Sequence, residues 1–354
     1  MQYTFNVFNK IRLMKTKAHI IAMTSFLLFS ISCMQYEEEP YIMEFPAIVD
    51  PIPYDILGSG KLVFERVNGY NGICVIDIEN RWAWSICDGY VTNGPAVSPN
   101  GEKIAYCNFT ETGNSAYDVY IVNIDGTNLT RVSDITGQEH SPSWTPDGNQ
   151  ILFTSSLFSP VTGYNVLYRQ TPLMNSTDLV PVVDYGKINP PTIYTPEGPA
   201  SLSPKGKLAI RMEGGIYTCD TDGTNFNKII PVPMDSIYYN LFYSPSWSPD
   251  GNKLAVLSMK SKVSEILSVA VIVFEPDGTK PDTLVSVPAS GNSVWFGDNN
   301  YSLCWSPDGT KIAFTRPDGP DAGSHIYVIR TDHTDLTQVT NEPGATDRSL
   351  SWSK

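Results

Sequence analysis

Residues able to do chemistry are few in this chain, and their spacing argues against most reactions. Of the four histidines, His19 lies in an N-terminal apolar segment. His140, His325 and His333 are too scattered for a zinc, copper or iron centre built on several imidazoles. No Gly-x-Ser-x-Gly elbow is present for a hydrolytic triad. The pairs Asp125-Gly126, Asp222-Gly223 and Asp277-Gly278 lack the alternating acids and downstream Glu of a calcium loop. Gly58-Ser59-Gly60-Lys61 lacks the spacing and following Ser/Thr of a phosphate loop. No metal, cofactor or catalytic group is therefore expected. What remains is a set of aromatic, amide and charged residues: Glu139, His140, Tyr194, Glu197, Tyr239, Asn240, Tyr243, Trp295, Asp298, Tyr301, Asp347 and Arg348. Such a mixture binds a peptide or protein loop, or a glycan whose CH faces stack while its hydroxyls bond. A third reading, a polysaccharide lyase or hydrolase, would draw on Glu139, His140 and Arg348.

These candidates share a place relative to a repeated phrase. Val97-Ser98-Pro99-Asn100-Gly101, Trp144-Thr145-Pro146-Asp147-Gly148, Leu202-Ser203-Pro204-Lys205-Gly206, Trp247-Ser248-Pro249-Asp250-Gly251 and Trp305-Ser306-Pro307-Asp308-Gly309 each precede an apolar run. A sixth beginning, Ser351-Trp352-Ser353-Lys354, ends the chain. Measured at the Ser or Thr, the steps are 47, 58, 45, 58 and 47 residues. Each phrase reads as strand, tight turn, strand, because proline sets φ, the acid closes the turn and glycine takes φ > 0. A third run such as Ile326-Tyr327-Val328-Ile329 follows, then a second turn such as Asp125-Gly126-Thr127-Asn128, then a weaker fourth strand. Four antiparallel strands in about 45 residues is the unit of a β-propeller blade. The recurring Trp144, Trp247, Trp305 and Trp352 are expected to pack between blades.

The expected fold is all-β: a six-bladed propeller of four-stranded antiparallel blades over residues 61–354. The lone first strand at Ser349–Ser353 should complete the blade begun by Lys61–Glu65, closing the ring without a free inner edge. The candidate residues then fall in the connections that cross to each new blade, converging on the mouth of the central channel. If Asn80-Arg81 centres its hairpin, Cys74 faces Cys87 and a disulfide is feasible. The repeat resembles the TolB-type propeller repeat, related to WD repeats, across the whole of residues 61–354. That resemblance implies a binding scaffold rather than an enzyme, with an envelope protein or peptide as partner. The additional N-terminal α/β domain of TolB has no counterpart in residues 34–60.

The first 32 residues read as a secretory signal: Lys10, Arg12, Lys15 and Lys17 precede an apolar run ending at Ser30-Ile31-Ser32. Cys33 directly after it resembles the lipidated cysteine of bacterial lipoproteins, and Glu37-Glu38-Glu39 resembles the acidic surface-export tract of Bacteroidetes lipoproteins. Residues 33–60 are expected to be a proline-rich acidic tether from an outer-membrane anchor, on the cell surface or facing the periplasm. Tyr41, Ile42, Phe45 and Ile48 are apolar enough for part of it to pack on the domain. Formal charge is −13, and losing the signal removes cations only. Phosphate-held nucleic acid is thus no partner, and contact with the membrane falls to the lipid. A monomer is expected.

Overall fold

The computed structural model describes residues 48, 51–67, 72–86, 91–110, 116–133, 137–155, 166–173, 178–184, 198–212, 215–230, 239–262, 265–288, 301–317 and 323–354. Within them the chain forms six units of four antiparallel strands. Blade 1 is Val91–Val97, Lys103–Thr110, Ala116–Asn123 and Thr130–Arg131. Blade 2 is Glu139–Trp144, Ile151–Ser155, Val166–Gln170 and Val180–Asp184. Blade 3 is Ser201–Leu202, Lys207–Met212, Gly215–Asp220 and Asn227–Ile230. Blade 4 is Tyr239–Trp247, Leu254–Lys262, Glu265–Phe274 and Asp282–Pro288. Blade 5 is Leu303–Trp305, Lys311–Pro317, Ser324–Arg330 and Thr337–Gln338. Blade 6 is composite, Thr346–Ser353 from the C-terminal side with Lys61–Val67, Gly72–Asp77 and Trp82–Ser85. A single parallel pair, Ser324 with Thr346, links blades 5 and 6. In the closing register Leu62 faces Trp352 and Lys61 faces Ser353. Gly60 enters this blade at φ +90°, where a Cβ would sit 2.0 Å from the Ser353 carbonyl oxygen, so only glycine fits.

The phrase Ser/Thr-Pro-Asp-Gly is explained by its own hydrogen bonds. The Ser306 hydroxyl donates to Asp308 at 2.6 Å and accepts from the Lys311 amide at 2.9 Å, while the Gly309 amide donates to the Ser306 carbonyl. Ser248, Asp250 and Lys253 repeat the arrangement. In the second turns, Asp125, Asp222 and Asp277 each accept from the amide and hydroxyl of the Thr two residues on. Those bonds hold the three carboxyls below their ordinary range.

Alternation along each strand sends successive side chains to the two neighbouring blades. Trp305 joins a cluster with Tyr243, Leu257 and Val271 of blade 4, whereas Cys304 joins Leu62, Leu350 and Trp352 of blade 6. The middle strands are covered on both faces, which is why they read as unbroken apolar runs. Trp247, Trp305 and Trp352 are buried between blades as expected, and Trp144 is half-buried there. Ile48, Ile52 and Tyr54 pack against the blade 6 core, and Leu57 of the short helix α1 (Tyr54–Leu57) is fully buried. The part of the expected tether from Ile52 to Gly60 thus belongs to the domain.

The hairpin register differs from the one that would pair two cysteines. Asp77 faces Trp82, so Cys74 lies opposite Ser85. Asp77 draws the turn back by accepting from the backbone amide and side chain of Asn80, both at 3.0 Å. Cys87 itself lies outside the described residues.

Candidate functional site

A channel of about 620 Å³ runs through the centre, walled by the innermost strand of every blade. Small residues and prolines make up most of its wall, interrupted by the tryptophans of the repeat and by a few larger side chains. Adjacent innermost strands are joined by hydrogen bonds at all six junctions. Hydroxyls accept at four of them: Ser351 from the Val97 amide, Ser201 from Trp247, Ser244 from Leu303 and Ser302 from Leu350. Ser143 donates to the Ala200 carbonyl at 2.6 Å, and the Trp144 indole donates to the Ala96 carbonyl at 2.8 Å.

The innermost strands begin earlier than the repeated phrase suggests. Gly94, Ser141, Ser244 and Ser349 stand four residues before the phrase's Ser or Thr, all with left-handed backbone (φ 64°, 55°, 49° and 57°). The pairing register slips at each. These are β-bulges, which re-aim the side chains beside them. The prolines that follow, Pro95, Pro142 and Pro245, are tolerated because a bulge on an inner edge strand needs no ladder donor there. Glu139, His140, Tyr243, Asp347 and Arg348 are therefore strand residues rather than loop residues. Tyr239 and Asn240 also begin a strand, but their side chains lie outside the description. Tyr194, Glu197, Trp295 and Asp298 lie outside it altogether.

The bulges sort the candidates into two levels. His140, Tyr243, Tyr301 and Arg348 occupy one repeat position, five residues before the phrase's Ser or Thr. Tyr243 and Tyr301 meet edge to face with centroids 5.5 Å apart, and the Arg211 guanidinium lies 3.9 Å from the Tyr243 ring centroid. All three line the channel. Burial, helped by Tyr243, pushes the Tyr301 phenol up to about 12. His140 lies 6.1 Å from the Tyr117 ring, and burial lowers its pKa. Arg348 is bound through two hydrogen bonds, 2.8 and 2.9 Å, to the buried carboxylate of Glu65, which sequence reasoning did not single out. Burial raises the Glu65 pKa against the pull of that arginine.

Glu139 and Asp347, one residue earlier, are a correction to the expected mouth. Both are fully buried between blades. Asp347 accepts from Arg66 at 2.6 and 2.9 Å and from Thr340 at 2.5 Å. Glu139 accepts from Ser133 at 3.1 Å and Ser155 at 3.2 Å, where Ser155 takes the place of Arg66. Alternation explains the difference: a residue next to one that faces the mouth points into the blade interface. Glu139 and Arg348 thus do not form an exposed acid–base set with His140. Among the described residues no group of three or more His, Cys, Asp or Glu is placed to hold a metal.

Burial, and next the neighbouring Asp118, push the Glu139 carboxyl up to about 8. Asp118 is itself held by Arg131 at 2.9 Å. Glu139 binds its proton more tightly folded than unfolded, so stability should fall as pH rises from 4.5 towards about 8 and level off above. Glu139→Gln keeps the neutral shape and should remove about 2–4 kcal/mol of that fall. Chemical denaturation of both proteins at pH 5, 6.5 and 8 measures it; equal slopes would show that this carboxyl does not titrate as described.

No family model matches the chain. An uncharacterised protein of Agrobacterium fabrum is 26% identical over 161 residues, 45% of this chain and 52% of that protein. The Tol-Pal system protein TolB of Alcanivorax borkumensis is 39% identical over 62 residues, 18% of this chain and 14% of that protein. The chain thus matches about half, or less, of the length of these curated relatives. Among solved structures, TolB from Acinetobacter baumannii superposes with a TM-score of 0.60 at 16% identity, covering 83% of this chain and 66% of that one. A chain of the nidogen/laminin complex gives 0.57 at 11% identity, covering 84% and 99%. Oligogalacturonate lyase in complex with manganese gives 0.50 at 14% identity, covering 84% of each chain. The fold class is that of the TolB-like β-propellers.

Proposed function

We propose that this chain is a non-enzymatic binding propeller of the bacterial cell envelope, tethered through Cys33 to the outer membrane, that captures a protein or peptide segment at its channel mouth. One observation carries the reading: Arg211, Tyr243 and Tyr301 line the central channel, and the repeat position of the two tyrosines is held by His140 and Arg348 in blades 2 and 6. The buried acids and the Glu65–Arg348 pair stiffen the rim and leave aromatic and amphipathic surface for contact. A glycan is the weaker alternative, because Arg211 already covers a face of Tyr243 that a sugar ring would need. Cys33 and the export tract lie outside the described residues, and the anchor rests on their sequence pattern.

Two measurements test this. Tyr301→Ala should lower retention of the captured partner at least about tenfold, the scale of a central interface aromatic, while shifting the melting temperature by only a few degrees. Loss of folding with retention intact in the surviving fraction would assign Tyr301 to packing. Cys33→Ala should move the protein from the membrane fraction to the soluble one; persistence in the pellet after a high-salt wash would remove the anchor.

A further inference from the structure

The rim of the turn-bearing face carries an apolar arc that neither the fold nor the mouth requires. Trp82 of blade 6 is 65% exposed, Leu129 of blade 1 is 56% exposed and Leu336 of blade 5 is 40% exposed. All three hold one repeat position. Each follows the left-handed residue that ends the turn between third and fourth strands: Arg81, Asn128 and Asp335, with φ 56°, 56° and 57°. In blade 3 the same position is Phe226, which instead folds onto Tyr217 with centroids 5.3 Å apart. In blade 4 it is Pro281, exposed but small, and the large exposed side chains at this position among the described residues fall on blades 5, 6 and 1. Blade 6, at the centre, is where the N-terminal chain reaches the domain.

That attachment is specific. The Ile48 amide donates to the Ala83 carbonyl on the outermost strand of blade 6. Helix α1 lies beside it, with Asp55 paired to Arg81 at 2.7 Å and Arg81 set 5.5 Å from the Tyr54 ring centroid. Ile56, also exposed, extends the arc. Acids near the arc are partly compensated: the one Arg330 stands 3.6 Å from Asp332 and 3.8 Å from Asp335, and Arg131 pairs with Asp118. Glu79 and Asp125 stay exposed beside it. Tryptophan, tyrosine, leucine and arginine are the residues that settle at a lipid headgroup boundary, and the acids left over beside them suit a zwitterionic layer rather than an anionic one.

We infer that this arc is the surface on which the propeller rests against the bilayer, its occupant the zwitterionic headgroup layer. The inference rests on the lipid-anchor reading. Fourteen residues separate Cys33 from Ile48, a reach of at most about 50 Å, and the chain from Cys33 joins the domain at blade 6. A rim residue just beyond the end of the arc, Leu173 of blade 2, is equally exposed at 65% and serves as control.

The test uses the chain from Cys33 onward, Cys87→Ser, coupled through Cys33 to a maleimide lipid in phosphatidylcholine vesicles containing a brominated phosphatidylcholine. Coupling supplies the anchor chemically, so the outcome is independent of whether cells lipidate Cys33; the Cys33→Ala fractionation tests that separately. Tryptophan emission is compared for the parent, Trp82→Phe, and Trp82→Phe combined with Leu129→Trp, Leu336→Trp or Leu173→Trp. The arc is expected to be quenched at 82, 129 and 336 by about twofold or more, as for an interfacial tryptophan, with no quenching at 173. Absence of quenching at all three arc positions on vesicle-bound protein, or equal quenching at 173, would overturn the inference. An arc covered instead by the chain's own residues 34–47 would give the first of these.

Discussion

Deletion of Leu350–Lys354 is expected to unfold the whole domain rather than trim its end. The segment supplies half of the innermost strand of blade 6, and its partners lie almost three hundred residues away at Lys61–Val63. Leu350 and Trp352 are buried in the core shared by blades 5 and 6. Their loss alone costs about 3–5 kcal/mol each by the measure of large core truncations. With them go the Ser351 bond to blade 1, the Leu350 amide bond to blade 5, and the Trp352 indole bond to the Ser59 carbonyl. A domain has only about 5–15 kcal/mol to lose, and the ring would be left open with an unpaired inner edge. Circular dichroism should show no cooperative melting transition at temperatures where the parent is native. A transition unchanged in midpoint would mean that the strand does not close the ring.

The second large effect is at the buried ion pair of the same blade. Asp347→Ala leaves the Arg66 guanidinium inside the blade interface without its two carboxylate bonds, and Thr340 without its acceptor. Removing one partner of a buried pair costs about 3–5 kcal/mol. The double variant Arg66→Met, Asp347→Leu, which removes both charges, should recover most of that, because two desolvated ions are exchanged for apolar contact. Urea denaturation of the two single variants and the double variant gives the coupling directly. If the double variant is as destabilised as the sum of the singles, the pair is not the interaction described.

How much of this was legible in the residues differs by level. The Ser-Pro-Asp-Gly and Asp-Gly-Thr turns announced the blades because each is a closed local hydrogen-bond set, independent of distant partners. The composite blade was legible because a lone first strand at one end complements its absence at the other. The bulges were not. Ser141-Pro142 and Ser244-Pro245 read as strand breaks, yet an inner edge strand accommodates them, so the candidates moved from loops onto strands. With that move Glu139 and Asp347 turned inward while His140, Tyr243 and Arg348 stayed at the rim. The signal that would have found this is the constant offset of the Ser/Gly-Pro pair from the phrase in blades 1, 2 and 4. The register around Cys74 was missed for a related reason: Asp77 captures Asn80 and moves the centre of the hairpin back by one residue, so that Cys74 faces Ser85, a side-chain event that strand counting does not see. Glu65 and Arg211 carry no such signal, because they stand on second strands, away from the connections that lead into the first.

The central claim, that the channel mouth is where a partner is held, is tested most directly by site-specific photocrosslinking in cells. Benzoylphenylalanine at position 140, on the mouth, is compared with the same group at position 173, on the outer rim of the same blade. The account predicts a discrete adduct from position 140 that disappears in the Tyr301→Ala background, and none at that mass from position 173. The same adduct from both positions, or its persistence in a folded Tyr301→Ala protein, would contradict it.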